Sequence, residues 1–316
     1  MANAGACLSG LWPRVAGGAG RALATGGFPQ RLLNIRDLTN AERFRHVEDG
    51  VALIKGAVAP DLVTRMSDAV EWIMQNPSRH GVNMTAPDSP GVFYQDCRLF
   101  PHNPTFRALL HEGGLARLAG QAMRSRTVRA FYKQVFVKDP GTEDAFVWHQ
   151  DRPYWNVDGT QVCSTWVALT PAGVESSALE FVRGSHRWGR TFRPEYPGYE
   201  GCTPEELERL LWRGLAEYVE RFEERAPEFE NYPDDYEVLG FEVEPGDALL
   251  FDFRTVHRSG PNAGSTRRSV ISWRWLGDDA VWTPRPGGDP IIRDNETCLT
   301  FGDITDDACF PLVYAR

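Results

Sequence analysis

The chain has 316 residues, 42% hydrophobic and 24% charged, close to the globular average and long enough to bury a large core. Its formal net charge of -9 has the wrong sign for a phosphate-backbone partner, which attracts clustered Lys and Arg. No stretch approaches the roughly 20 consecutive apolar residues of a membrane-spanning helix, so a soluble protein with neither nucleic acid nor membrane as partner is expected.

Much of the charge is local, since Thr203 to Tyr236 holds eleven Asp or Glu against four Arg. Six cysteines (Cys7, Cys97, Cys163, Cys202, Cys298, Cys309) form no CxxC pair, which argues against a zinc ribbon or redox dithiol. Isolated buried thiols in a reducing compartment are expected, with a cytoplasmic location.

Residues 1–36 contain no acidic residue but carry Arg14, Arg21, Arg31 and Arg36 among Ala and Gly. That composition suits a mobile tail or a mitochondrial targeting segment. A single serine, Ser9, favours the tail. Residues 37–316 are read as one domain.

Arg43 to Gly56 reads as a short helix running into a strand, "DGVALIKGAV". Leu62, Met66, Val70 and Ile73 recur at helical spacing and predict an amphipathic helix from about Asp61 to Met74. Residues 81–104, rich in Gly, Pro, Asn and Asp, predict a long functional loop rather than a core strand, with Phe93 and Tyr94 as candidate substrate contacts. A helix is expected over about Thr105 to Met123.

The middle of the chain changes character. "RAFYKQVFVK", "QVCSTWVALT", "ALEFVRGS", "FEVEPGDALLFDF" and "RRSVISWRWL" are runs rich in β-branched and aromatic residues, separated by turn signals. They indicate a mainly β sandwich or barrel with flanking helices. Between the third and fourth runs, Thr203 as N-cap, Pro204 and Glu206 start a helix. Its apolar stripe runs through Leu207, Leu210, Leu211, Leu215, Tyr218, Val219 and Phe222, and the carboxylates form its solvated face.

An iron that must bind a cosubstrate and O2 needs few protein ligands; two imidazoles and one carboxylate on one face leave three positions open. In a strand, His-x-Asp puts both side chains on one side of the sheet. "FVWHQDRPYW" supplies His149 and Asp151 at this spacing. The spacing alone is weak, because about one His-x-acid pair is expected by chance, and His46-x-Glu48 is a second instance in a helical segment. The signal strengthens with "ALLFDFRTVH", which ends on His257, and with Ser259, Asn262 and Arg268 soon after. A guanidinium returning near an iron site suits a dicarboxylate such as 2-oxoglutarate.

Together, "WHQDRPYW", "STWVALTPAGVESSALEFVRGSHRWG", "EPGDALLFDFRTVHRSGPN" and "RRSVISWRW" closely resemble the phytanoyl-CoA dioxygenase family of Fe(II)/2-oxoglutarate enzymes, over roughly residues 45–285. The resemblance implies a double-stranded β-helix (jelly-roll) core. It implies Fe(II), 2-oxoglutarate and O2 as cofactor and cosubstrates, with His149, Asp151 and His257 as the catalytic iron ligands. It assigns Arg268, with Ser259 beside it, to the distal carboxylate of 2-oxoglutarate, and Trp166 to the wall of that pocket. The carboxylate of Asp151 is what halogenating members lack, so the resemblance implies hydroxylation or a related C–H oxidation of a small organic molecule.

Tyr154 and Trp155 are candidates either for substrate walls or for filling the barrel mouth. Arg152, Arg254 and Arg274 could meet an anionic substrate, but pairing with surface carboxylates is the preferred reading for each. His186 is read as a structural hydrogen-bonding group. Two alternatives stand beside the oxygenase: a cupin-like metalloenzyme that does not use 2-oxoglutarate, and a catalytically silent binding protein on the same fold. Substrate identity and oligomeric state stay open at this level.

Overall fold

In a computed structural model of the chain, which describes residues 36–85, 90–97, 99, 104–196, 202–210, 214–286, 299–305 and 310–316, Thr39 starts the first helix. Its hydroxyl accepts from the Glu42 N–H at 3.2 Å, and the Glu42 carboxylate accepts from the Thr39 N–H at 2.8 Å. This helix, α1 (Asn40–Asp49), stops at Gly50, whose φ of 85° is left-handed. The turn delivers the chain into β1 (Val51–Ile54), as the helix-then-strand reading anticipated. α2 (Pro60–Gln75) begins on a proline and buries Leu62, Val63, Met66, Ala69, Val70 and Ile73 along one face.

The segment expected to be a loop contains strands instead: β2 (Val82–Asn83) and β3 (Phe93–Cys97). The polar residues that disguised β3 are satisfied inside the fold. The carboxylate of Asp96 is fully buried and accepts from the Ser78 N–H and hydroxyl and from the Tyr94 hydroxyl. The helix expected over 105–123 is two, α3 (Pro104–Glu112) and α4 (Leu115–Met123), broken where Gly114 takes φ 67°.

The β region follows: β4 (Thr127–Lys138), β5 (Phe146–His149), β6 (Val157–Asp158), β7 (Val162–Ala168) and β8 (Leu179–Val182). Next come α5 (Pro204–Leu210) and α6 (Leu215–Glu220), where one helix was expected. Thr203 and Glu206 do form the capping pair, but Gly214, at φ 83°, opens a separate second helix. Residues 211–213, including Leu211 of the expected stripe, lie outside the described residues. The chain closes with β9 (Val238–Gly240), β10 (Ala248–Asp252), β11 (His257–Ser259), β12 (Arg268–Leu276), β13 (Val281–Trp282) and β14 (Leu312–Ala315).

The large sheet runs β1-β10-β7-β12-β4-β3-β2, with β14 also on β4; a smaller one runs β5-β11-β8-β9. All pairings are antiparallel. This is the jelly-roll arrangement. Alternation along β12 shows how it is layered. Ile271, Trp273 and Trp275 face outward into a core shared with α2, α3 and α4. Val270 faces inward, into a second core where Trp166 and Phe251 of the large sheet meet Phe181 of the small one. Arg268, Ser272 and Arg274 share the inward parity, so β12 lines the space between the sheets with polar groups.

Cys97 and Cys163 are buried and Cys202 is partly exposed; Cys7, Cys298 and Cys309 lie outside the described residues. So do residues 1–35 and with them the tail or targeting segment. Among the described residues, no helix is long and apolar enough to cross a membrane.

Candidate active site

His149 ends β5 and His257 begins β11, and the antiparallel register sets them directly opposite each other. Their rings lie 4.3 Å apart, centroid to centroid. Asp151 was expected on the same strand as His149. It sits instead in the turn that follows, pinned by the Arg152 N–H to the Phe253 carbonyl and the Tyr154 N–H to its own carbonyl. The turn still brings its carboxylate round. One ligand atom from each of His149, Asp151 and His257 lies within 4.8 Å of the others, and His257 Nε2 is 4.0 Å from Asp151 Oδ1.

The hydrogen bonds prepare these groups for a cation. Nδ1 of His149 meets the Val147 carbonyl at 2.8 Å, and Nδ1 of His257 meets the Thr255 carbonyl at 2.9 Å. A carbonyl only accepts, so each Nδ1 carries the proton and each Nε2 keeps its lone pair for the shared space. Ser164 donates to Oδ2 of Asp151 at 3.3 Å, leaving Oδ1 on the histidine side. Burial drives the His149 imidazole below its usual pKa, against the pull of Asp151. Burial, reinforced by His149, holds His257 far lower. Burial pushes the Asp151 carboxyl up, opposed by Arg274 and His149. Neutral imidazoles beside a carboxylate that burial penalises make a donor set that a divalent cation fits, because its charge offsets that penalty.

Two residues beyond His257, on the same face of β11 and roughly 7 Å along the strand, stands Ser259. Here a second polar cluster forms. The Ser259 hydroxyl lies 2.8 Å from that of Ser177, which accepts from a nitrogen of Arg268 at 3.2 Å. Arg268 also donates to the Phe136 carbonyl at 3.3 Å, while its Nε has no partner. Its guanidinium lies 5.8 Å from the Trp166 ring. Directly across the β4–β12 pairing is Lys138, whose ammonium donates to the Gly260 carbonyl at 2.8 Å. Both side chains are almost fully buried, and among the described residues neither has a carboxylate within ion-pair distance. Burial pushes the Arg268 guanidinium down to about 9 and, with Arg268 adding repulsion, the Lys138 ammonium down to about 6, against Asp144. A buried guanidinium and a buried amine with no carboxylate partner among the described residues make a pair that a compact carboxylate would fit. Arg267 points to the other side of β12 and pairs with Asp139 at 2.6 Å.

The candidate substrate residues divide. The Tyr154 ring meets His149 edge-on at 5.9 Å, and its hydroxyl donates to the Glu195 carbonyl at 2.5 Å. Trp155 is buried among Phe131, Tyr132 and Phe253. Phe93 lies under the Lys138 ammonium at 4.5 Å and packs on Phe146, beside the Arg268–Lys138 pair. Tyr94, the next residue on β3, necessarily faces the opposite side and fills the helical core, away from the site.

Lys138, Ser177 and Ser164 were not anticipated. A lysine at the end of an apolar strand usually extends to solvent, and only the register opposite Arg268 reveals its burial. The three arginines considered as anion contacts also divide. Arg152 pairs with Asp158 and Arg254 with Asp252, as expected. Arg274 does not: it is 6% exposed and appears in no ion pair among the described residues. His186 donates to or is oriented by the Val47 carbonyl at 3.1 Å, outside this site.

The comparisons with known proteins agree with this architecture. A curated relative, the "Multifunctional dioxygenase prhA" of Penicillium brasilianum, is 23% identical over 232 residues, which are 70% of this chain and 66% of that protein. The chain therefore spans just under two thirds of that relative's length. The solved structure of SnoK, a "non-heme alpha ketoglutarate dependent carbocyclase" from nogalamycin biosynthesis, superposes with a TM-score of 0.65 at 19% identity, covering 87% of this chain and 96% of SnoK. The epimerase SnoN, solved "in complex with Fe3+, alpha ketoglutarate and nogalamycin RO", gives a TM-score of 0.64 at 19% identity over 86% of this chain and 97% of SnoN. At that identity the likeness speaks for the fold. Residues 47–270 match the family model described as "Phytanoyl-CoA dioxygenase (PhyH)", most of the chain and all three residues of the His-Asp-His set, and the protein is a member of that family.

Proposed function

We propose that the protein is an Fe(II)- and 2-oxoglutarate-dependent oxygenase that hydroxylates, or otherwise oxidises at a C–H bond, a small organic metabolite. The observation that carries the reading is the buried Arg268–Lys138 pair one strand repeat from the His149, Asp151 and His257 set. A cupin-like metalloenzyme without 2-oxoglutarate, or a silent binding protein, would have no use for a buried guanidinium and amine with no carboxylate partner among the described residues at that position.

His149 and His257 would hold the iron through Nε2 and Asp151 through Oδ1, three ligands that leave coordination positions for 2-oxoglutarate and O2. When bound, iron supplies the oxygen chemistry that couples decarboxylation of 2-oxoglutarate to succinate and CO2 with oxidation of the substrate. The chain's own residues bind and orient. Arg268 would grip the distal carboxylate with its fork, Lys138 would neutralise it, and Ser259 and Ser177 would fix its position. Trp166 would close the apolar side of that pocket, and Tyr154 would wall the substrate side of His149. Residues 37–316 are proposed to act as one catalytic domain, in the cytoplasm.

Succinate formation from 2-oxoglutarate tests the proposal, using purified protein with Fe(II), ascorbate and O2 in the presence of a metabolite extract. Iron- and O2-dependent succinate that rises with a fraction of the extract is expected. Tight iron binding without succinate would return the cupin-like alternative.

A further inference from the structure

Arg274 is a buried cation with no counter-ion among the described residues, toward the opposite end of β12 from Arg268. The two share the inward face, six residues and roughly 20 Å of strand apart. Across the β7–β12 pairing, Arg274 faces Ser164, the residue whose hydroxyl donates to Asp151. Its charge acts on His149, Asp151 and His257 alike, which places it beside the ligand set.

What holds Arg274 is polar but neutral. It donates to the Ser272 carbonyl and to Oε1 of Gln134, both at 3.0 Å, and its Nε has no hydrogen-bond partner among the described residues. Its guanidinium carbon lies 4.8 Å from the Tyr132 ring and 5.8 Å from those of Phe136 and Trp155. Arg274 pulls the Asp151 carboxyl down against its burial but is not within ion-pair distance of it, and a metal at Asp151 would take up that carboxylate's charge. Three aromatic faces and a glutamine oxygen orient the fork without satisfying it, and stacking of this kind favours a guanidinium over an ammonium.

We infer that Arg274 anchors the substrate, and that the substrate is an organic acid whose carboxylate meets this guanidinium. The inference rests on the oxygenase reading and narrows its substrate class. It also gives the β12 strand two carboxylate receptors, one at each end, with the proposed iron ligands reached by both.

The test uses the full chain loaded with Mn(II) and saturating 2-oxoglutarate, so that the Arg268 end is filled. Calorimetry first establishes 2-oxoglutarate binding. Its failure there would overturn the oxygenase reading, and the remaining steps would then be read on the Mn(II) form alone. Matched probes follow: 4-fluorophenylacetate against 4-fluorophenylacetamide, and hexanoate against hexanamide. At least one carboxylate should bind at least tenfold tighter than its amide, as expected for a charge-assisted hydrogen bond. Mn(II) should broaden the fluorine resonance of bound 4-fluorophenylacetate more than Zn(II)-loaded protein does, which places the probe near the metal without any mutation. Arg274→Gln should reduce the carboxylate preference to under threefold, and Arg274→Lys should not restore it. No preference for any carboxylate, or a preference that survives Arg274→Gln, overturns the inference. So does a tenfold loss of 2-oxoglutarate affinity in Arg274→Gln, which would assign the residue to the cosubstrate.

Discussion

Arg268 and Lys138 occupy directly opposed positions on adjacent antiparallel strands, both basic and both buried, with no carboxylate between them among the described residues. Like charges directly opposite destabilise a sheet, so the pair costs free energy until an anion arrives. Lys138 registers this cost through protonation, since burial and Arg268 bring its ammonium from 10.5 down to about 6. At pH 7.5 the free protein therefore holds this amine mostly neutral. A bound dicarboxylate favours the charged form, so binding above about pH 6 takes up a proton and 2-oxoglutarate affinity should fall as pH rises from 6 to 8. Calorimetry in buffers of different ionisation enthalpy reads that uptake. Lys138→Met should abolish it, and Arg268→Gln should weaken 2-oxoglutarate on the order of 10- to 100-fold. An affinity independent of pH in the natural chain would remove Lys138 from the cosubstrate site.

The same lysine leaves a mark on stability. Between about pH 6 and 10.5 the unfolded chain holds a proton at this position that the folded chain has lost. Stability should therefore rise with pH across that window, by this group's contribution, and Lys138→Met should flatten the rise. Urea midpoints at several pH values without 2-oxoglutarate measure it, and parallel curves for the two proteins would contradict the assignment.

Asp151 carries the opposite sign. Burial raises its carboxyl above the usual value of 3.8, so the folded chain holds its proton longer than the unfolded chain and ionisation weakens the fold as pH rises through that interval. Without metal, Asp151→Asn should melt at a temperature equal to or above that of the natural chain at pH 7. With Mn(II), only the natural chain should gain; at one hundred times the dissociation constant the gain is about 2.7 kcal/mol. Differential scanning fluorimetry with and without Mn(II) gives both comparisons. An equal Mn(II) shift in the two proteins would exclude Asp151 as a ligand.

How far these features could be read from the sequence depends on what made each one local. His149, Asp151, His257 and Arg268 lie in short motifs flanking β-rich runs, so spacing and resemblance together reach them. Lys138 enters the site through strand register and Ser177 from the turn before β8, 39 residues apart in numbering, and no local pattern marks such pairs. Over 203–222 the expected stripe is buried at Leu207, Leu215, Tyr218 and Val219, and Gly114 and Gly214 in left-handed geometry divide each of the helices expected at 105–123 and 203–222 in two. Periodicity across a short break is preserved well enough to hide it. In 81–104 the error ran the other way, because turn-forming residues around Phe93–Cys97 outweighed five residues whose partner, β4, lies about 40 positions downstream.

Tyr154 links the metal side of the site to the segment after β8. Its hydroxyl both donates to the Glu195 carbonyl and accepts from the Glu195 N–H, at 2.5 and 2.7 Å, while its ring stands edge-on to His149. Tyr154→Phe keeps the ring but frees Glu195. Substrate KM should rise several-fold, with 2-oxoglutarate affinity and Mn(II) affinity within about twofold of the natural values, since only one neutral hydrogen-bonding group is lost. Changes confined to 2-oxoglutarate binding would place Tyr154 on the cosubstrate side instead.

Gly50 tests whether the scaffold beyond the site controls the ligands. A Cβ there would stand 2.5 Å from Nδ1 of His186 and 2.6 Å from the Thr255 hydroxyl, in a backbone conformation of φ 85° that side chains rarely adopt. The Thr255 hydroxyl donates to the Gly50 carbonyl at 2.9 Å, and the Thr255 carbonyl is what fixes the Nδ1 proton of His257. Displacing Thr255 therefore turns the His257 ring. Gly50→Ala should cost about 2–5 kcal/mol by combining a strained φ with overpacking, measured as a lower urea midpoint at an unchanged slope. In the surviving folded protein, Mn(II) affinity should fall on the order of 10-fold, the scale on which loss of a hydrogen-bond partner behind a ligating histidine is felt. Lost stability with unaltered Mn(II) affinity would show that the His257 ring is held by its packing on Phe181 and Phe251 rather than by the Thr255 carbonyl.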